Sequence, residues 1–168
     1  MSRRAIDMES PIGSLRVVAE DGALVGVYME AHAHQPVLDA ADGAGDPLLV
    51  LTREQLGAWF LGQRRDFDLP LRPRGSPFQL TVWQELMRIP YGETRTYGEI
   101  ARSLGRPEAS RAVGAANGRN PLSIVVPCHR VVGADGSLTG YGGGLKRKRW
   151  LLEHERAVVE RASGFRLA

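Results

Sequence analysis

Cysteine is almost missing from this sequence: Cys128 is the only one in 168 residues. A lone thiol cannot form an intrachain disulfide, which excludes a disulfide-stapled scaffold. It also falls short of the paired cysteines of a structural zinc site. Cys128 is therefore either a single nucleophile or a small buried apolar residue, and the second is the usual outcome for an isolated cysteine.

Long hydrophobic runs are missing too. No segment approaches the ~20 apolar residues of a membrane helix, and Met1–Asp7 holds two arginines but no apolar stretch of a signal sequence. His32 and His34 are spaced by two with no cysteine near, so we expect them to be solvated and to bind no metal. These absences predict a cytoplasmic protein without a membrane contact, a metal or a cofactor.

Charge is unevenly divided along the chain. Residues 1–70 hold six basic and eleven acidic side chains, a net of −5, whereas residues 71–149 reach +8. The net charge of +3 conceals this difference. Such asymmetry favours a polyanion such as nucleic acid as the partner of the second part, with a solvated basic surface as the alternative.

The first part of the chain has the pattern of a small α/β domain. Residues 12–19 and 23–29 are β-rich and flank Asp21-Gly22, which predicts a hairpin. After a loop over 31–47, apolar spacing predicts a helix from Pro47 to Leu61. A short strand is expected over Phe67–Leu69.

The linker Pro70–Gly75 coincides with the change of charge, so we place a domain boundary there. The predicted domains are 1–72 and 73–160, followed by a tail over 161–168. The fold class is α/β (α+β), with a mainly helical second domain.

The second domain should begin with three short helices. Ser76 and Gln79 form a capping box for a helix over 77–88, and Thr96 with Glu99 caps a second that ends at Gly105. A third helix should open at Pro107 and reach Gly118. The last two can form a helix-turn-helix, although an ordinary helical hairpin is commoner. Nearby arginines favour DNA: Arg95, Arg102, Arg106, Arg111 and Arg119.

The segment that holds the thiol is apolar. Residues 122–126 suggest a buried strand that Pro127 interrupts and that resumes at Val131-Val132. A loop with six glycines covers 133–144, and a helix is expected over Lys146–Glu155. Residues 156–168 have no clear assignment, and we expect them to fray.

Thiol chemistry needs a partner for the proton. A free thiol has a pKa of about 8.5, and a neighbouring imidazole can take its proton. His129 follows Cys128 directly, and a third group should orient its ring. Glu153 and Glu155 on the last helix are both candidates.

The segment Ile124–Val132 resembles the active-site segment of the O6-alkylguanine-DNA alkyltransferases, also called methylated-DNA–protein-cysteine methyltransferases. The likeness is close over 76–155 and weaker but compatible over 1–70. The other matching segments are Ile89–Thr94, Thr96–Ala101, Arg111–Gly114, Asn120-Pro121 and Leu138–Glu155. The resemblance implies a ribonuclease H-like first domain.

The resemblance implies direct-reversal DNA repair. An alkyl group, above all methyl, would pass irreversibly from O6 of guanine, or less readily from O4 of thymine, to Cys128 after base flipping. Each chain would act once. The implied partner is double-stranded DNA bound through the minor groove by a chain that is monomeric in solution and able to bind cooperatively.

The same resemblance implies the site residues. Cys128 accepts the alkyl group, His129 relays its proton through water, Glu155 orients His129, Asn120 braces the turn, and Tyr141 donates to the leaving O6. Tyr97 rotates the nucleotide, Arg111 fills the base stack, and the carbonyls of Cys128 and Val131 accept from the guanine amino group. The implied DNA- and substrate-binding set is Tyr97, Arg111, Val131, Gly142, Asn117, Ser123 and Arg130.

Three positions depart from the family pattern. Gly142 replaces a serine of many relatives, so only its backbone N–H could assist at O6. Ser123 replaces a pocket-lining proline of some relatives, which bears on the acceptance of bulky alkyl groups. Arg106 replaces a capping asparagine, so Ser110 or water should cap the third helix.

Two other classes remain as alternatives. Alkyltransferase-like proteins bind damage without catalysis, but they replace the cysteine, which argues against that class here. A cysteine hydrolase or acyltransferase would use the same Cys-His pair, but no oxyanion-hole pattern is evident and the basic helices would have no purpose.

Overall fold

The computed structural model describes residues 3–31 and 39–164. His32 and His34 lie outside these residues. Within them, no group of three or more His, Cys, Asp or Glu side chains is placed to hold a metal ion, and no helix has the length and apolar character to cross a membrane.

The elements in chain order are β1 (Arg3–Met8), β2 (Leu15–Glu20), β3 (Ala23–Met29), β4 (Ala41–Asp42), α1 (Pro47–Phe60), α2 (Pro77–Leu86), β5 (Arg95–Thr96), α3 (Tyr97–Ser103), α4 (Ser110–Gly118), a 3₁₀ turn (Cys128–Arg130), β6 (Val131–Val132) and α5 (Leu145–Gly164).

The N-terminal sheet has the strand order β3-β2-β1-β4. The predicted hairpin is confirmed, and its turn has positive φ at both Asp21 (49°) and Gly22 (78°), which matches the twist of the strands. β1 pairs with β2 and β4 pairs with β1, yet neither was predicted. β1 contains only three apolar residues among charged ones, and β4 has only two residues. Neither segment therefore shows the alternation of apolar and polar residues that predicts a strand.

Helix α1 covers the sheet, close to its predicted bounds. The Asp46 carboxylate caps it by accepting from the N–H of Leu48 and Leu49, and Gly62 follows its end at φ 74°. The strand expected over 67–69 is wrong. The Gln55 side chain pairs with both the N–H and the carbonyl of Asp68, so a side chain takes the place of a neighbouring strand.

The linker is attached to the sheet edge. The Pro70 carbonyl accepts a hydrogen bond from Leu24 N–H at 2.8 Å, and Arg72 N–H donates to the Leu24 carbonyl at 2.9 Å. Arg74 pairs with the buried carboxylate of Glu20 at 2.6 Å. Because one hydrophobic cluster also includes residues from both sides of the linker, the two parts of the chain pack as one unit.

Helices α2, α3 and α4 form where the sequence predicts them, but their first or last residues differ from the predicted bounds. Both capping boxes form, but α2 ends at Leu86. Helix α4 begins at Ser110 rather than Pro107, with Ala109 at its N-cap and no side-chain cap. The expected Ser110 cap is therefore wrong, because Ser110 is already the first helical residue.

Two further expectations near the thiol are corrected. Residues 122–126 are buried as predicted but form turns, with a single bridge between Leu122 and Val27 instead of a strand. Helix α5 does not stop at Glu155 but continues to Gly164, so residues 156–164 are helical. Val158 is buried there, which gives this last stretch a packed face.

The capping box at Ser76 gives a stability prediction. Ser76→Ala should lower the free energy of unfolding by about 1 kcal/mol, because the N–H of Gln79 then loses its acceptor at the helix start. Urea unfolding measures the change. Ser76→Asp, which keeps an acceptor, is the control, and equal losses in both variants would contradict a capping role.

Candidate active site around Cys128

The Asn120 side chain holds the turn that carries Cys128. Its Oδ1 accepts from Leu122 N–H at 3.0 Å, and its Nδ2 donates to the Val126 carbonyl at 2.9 Å. Ile124 within this turn has a φ of 73°, an uncommon value for a β-branched residue. Such strain persists only where the surroundings fix it, as at functional turns.

The same amide reaches the thiol. Asn120 Nδ2 lies 3.0 Å from Cys128 Sγ, and Cys128 is 3% exposed. Burial raises the pKa of Cys128 to about 11, while the Asn120 hydrogen bond and the Lys148 charge oppose that rise. At neutral pH the resting thiol is therefore protonated, and its reaction requires a route for the proton.

His129 and Glu155 form a buried pair behind the thiol. His129 Nε2 lies 2.7 Å from Glu155 Oε2, whereas Glu153 is exposed, so the choice between the two glutamates falls on Glu155. Burial raises the pKa of Glu155, but His129 and Arg130 outweigh it and hold the pKa at about 2. An ionised carboxylate only accepts, so Nε2 carries the hydrogen.

The other ring nitrogen of His129 is then a base. Nδ1 is buried and accepts from no described side chain or backbone group. Burial lowers the pKa of His129, with Glu155 opposing that shift, so the ring is neutral. A neutral imidazole with a bare Nδ1 can take a proton that leaves Cys128.

Arg130 belongs to the same carboxylate cluster. Its Nε lies 3.0 Å from both Glu155 oxygens, its Nη2 lies 2.8 Å from Oε2, and its Nη1 donates to the Ile89 carbonyl at 2.8 Å. Arg130 is buried. Its donors are engaged inside the protein, which favours a structural role in holding Glu155, and the expected contact with DNA or substrate stays a prediction.

Tyr141 and Ser123 place two hydroxyls near the thiol. Both oxygens are buried, and hydrogen bonds with Ser123 and with Cys128 are among the influences on the pKa of Tyr141, so the three side chains lie together. Burial raises the pKa of Tyr141 well above its usual value, with the Cys128 charge adding to the rise, so the hydroxyl stays protonated and able to donate. Gly142, the next residue, is half-buried.

Lys148 is a site residue that sequence reasoning missed. It is fully buried on α5, donates to the Thr139 carbonyl at 2.7 Å, and lies 5.9 Å from the Tyr97 ring centroid. Burial lowers its pKa to about 8. Within the run Lys146–Arg149 nothing distinguishes this cation from its neighbours, and only the fold shows that it faces inward.

The remaining predicted residues are divided between the interior and the surface. Asn117 is buried and donates to the Cys128 carbonyl at 3.2 Å, and Val131 N–H donates to the same oxygen. This position supports a bracing role for Asn117 rather than a contact with DNA. Tyr97 Oη donates to the Thr139 carbonyl at 3.0 Å, and Arg111 is exposed at the start of α4.

Comparison with known proteins agrees with this geometry. Residues 77–157 match the family model described as 6-O-methylguanine DNA methyltransferase, DNA binding domain, and residues 6–73 match that of its ribonuclease-like domain. A methylated-DNA–protein-cysteine methyltransferase of Mycolicibacterium paratuberculosis is 51% identical over 89% of this chain and 90% of its own length. This chain belongs to the 6-O-methylguanine DNA methyltransferase family.

Other members of the 6-O-methylguanine DNA methyltransferase family extend the comparison. A relative from Methanosarcina acetivorans is 46% identical over 88% of this chain and 94% of its own length. The crystal structure of Mycobacterium tuberculosis OGT in complex with DNA has a TM-score of 0.86 and 46% identity, covering 92% of this chain and 94% of that chain. The likeness thus spans both domains.

Lys148 gives a prediction about pH. Its charge lowers the pKa of Cys128 only while Lys148 is protonated, below its own pKa of about 8. Lys148→Met should therefore slow alkylation of Cys128 by iodoacetamide below pH 8, and the two proteins should converge above about pH 9. Intact mass measures the rate, since the chain has one cysteine.

The exposed neighbour Lys146 supplies the control for this experiment. Lys146→Met should match the wild-type rate at every pH. A constant difference between Lys148→Met and wild type across the whole pH range would contradict an effect of charge.

Proposed function

We propose that this 6-O-methylguanine DNA methyltransferase repairs DNA by direct reversal, with Cys128 as the acceptor of the methyl group on O6 of guanine. The observation that carries the proposal is the buried array in which Asn120 contacts Sγ and Glu155 fixes His129. The Mycobacterium tuberculosis relative in complex with DNA supports DNA as the partner.

The proposed methyl transfer uses only groups of the protein, the substrate and water. As His129 Nδ1 takes the thiol proton through a water, the sulfur attacks the methyl carbon, an S–C bond forms and the O6–C bond breaks. The electron pair remains on guanine O6, where the Tyr141 hydroxyl donates, and a proton returned through water yields neutral guanine. The thioether on Cys128 is a poor leaving group, so each chain acts once.

The buried thiol requires the base to come to it. With Cys128 only 3% exposed, we propose that the damaged nucleotide leaves the duplex and enters the site from the minor groove. Arg111, exposed on α4, would fill the gap in the stack. Tyr97 would rotate the nucleotide, which requires its hydroxyl to release the Thr139 carbonyl.

Base recognition would rest mainly on backbone groups. The Cys128 carbonyl already accepts from Asn117 and Val131, so the Val131 carbonyl is the better acceptor for the guanine amino group. The Gly142 N–H would assist at O6. Ser123 would line the methyl pocket, and O4-methylthymine would react less readily because it lacks that amino group.

We propose that the protein is a cytoplasmic monomer. Residues 73–160 would bind DNA, with several copies binding cooperatively along the duplex, and residues 1–72 would support the site. A damage-binding protein without catalysis is the second candidate, and Cys128 speaks against it because such a protein needs no reactive thiol held by Asn120.

Intact mass tests the reaction itself. After incubation with a duplex that contains O6-methylguanine, the protein should gain one methyl group per chain, located on Cys128. Cys128→Ala should bind the duplex without gaining mass. Tight binding by wild type without an adduct would favour the damage-binding candidate, and turnover beyond one equivalent would favour a hydrolase.

Arg111 gives a prediction about flipping. Arg111→Ala should slow repair of duplex DNA by about tenfold or more, because the unpaired gap loses its filler. The reaction with free O6-methylguanine base should keep the wild-type rate, since no duplex has to open. Single-turnover rates on the two substrates measure the difference, and equal slowing on both would refute the role.

A further inference from the structure

One side chain of α5 reaches back to the N-terminal hairpin. Arg147 Nη1 donates to the Glu30 carbonyl at 2.5 Å and to the Gly143 carbonyl at 3.2 Å, and its Nε donates to the Ile12 carbonyl at 3.1 Å. Glu30 follows β3 and Ile12 precedes β2, so both carbonyls lie at the same end of the hairpin. A single guanidinium thus links the hairpin to the loop that carries Tyr141.

The backbone of this loop also packs against the hairpin. A Cβ at Gly143 would overlap Met29 Sδ, from the last residue of β3, and would lie 2.9 Å from the Tyr141 ring. The loop therefore lies between the hairpin end and the ring, with room for glycine alone. The loop that carries Tyr141 is thus in contact with the N-terminal hairpin both through the Arg147 side chain and through its own backbone.

We propose that Arg147 is a positioning residue for alkyl transfer, which holds the Tyr141 hydroxyl at Cys128 by fastening the loop to the N-terminal hairpin. This rests on the proposed function, in which Tyr141 donates to O6. The planar guanidinium has five donors in a fixed arrangement and can serve three carbonyls at once, whereas a lysine presents a single ammonium.

Electrostatics supports the same assignment. Burial raises the pKa of Tyr141, and the Arg147 charge is among the influences that lower it. A cation beside the phenol makes it a better donor to an oxygen that gains negative charge. The N-terminal domain thereby contributes to the chemistry through the loop, although none of its side chains is assigned to the reaction.

A double-mutant cycle tests the proposal on the full-length chain. Arg147→Met should slow methyl transfer from free O6-methylguanine base by about ten- to a hundredfold, the scale of a misplaced catalytic group. Arg147→Lys should recover part of the rate. The double variant with Tyr141→Phe should be no slower than Tyr141→Phe alone, because Arg147 acts through that hydroxyl.

Two controls separate positioning from folding. Arg149→Met, an exposed arginine on the same helix, should react at the wild-type rate. All rates are taken below the unfolding temperature of the least stable variant. Gly143→Ala displaces the loop without removing a charge, and it should also slow methyl transfer. The double variant Gly143→Ala with Tyr141→Phe should be no slower than Tyr141→Phe alone.

Three results would overturn the proposal. The first is a wild-type rate for Arg147→Met. The second is that Arg147→Met slows transfer by the same factor in the wild-type protein and in Tyr141→Phe. The third is a wild-type rate for Tyr141→Phe. The third would also remove Tyr141 from the proposed function, whereas the first two would leave that function intact and refute only the part of Arg147.

Discussion

The buried carboxylate of Glu155 is the contact on which the site depends. It accepts from His129, from Arg130 and from the backbone N–H of Gly92, and so joins α5, the 3₁₀ turn and the turn before β5. Removing one partner from a buried charged cluster costs about 3–5 kcal/mol. The same contacts keep Glu155 ionised and give His129 the tautomer whose Nδ1 is a base.

Two opposing effects set the reactivity of Cys128. Burial suppresses the thiolate and so protects the only cysteine from unwanted reactions in solution. Asn120 and Lys148 favour the thiolate, and His129 provides a base for the proton. The balance leaves a protonated resting thiol with a base beside it, which suits the proposed transfer of a methyl group to Cys128.

The N-terminal domain is more than a support in this arrangement. Trp59 of α1 lies edge-on to His129, with ring centroids 6.1 Å apart, and its carbonyl lies 2.9 Å from His154 Nε2. Arg147 links the hairpin to the loop of Tyr141. Both ends of the site therefore depend on contacts across the linker, in agreement with a hydrophobic core that continues from one part to the other.

The sequence by itself determined the features that depend on local chemistry. Asp21-Gly22 specifies its turn, Ser76 and Thr96 specify their caps, and the segment around Cys128 is distinctive enough to indicate the family. Tertiary structure alone decided that Arg130 faces inward and that Lys148 is buried next to the exposed Arg149. Spacing left Glu153 and Glu155 open, the family resemblance favoured Glu155, and the fold brings Glu155 to His129. A residue type fixes which interactions are available, whereas burial and long-range packing select the ones that form.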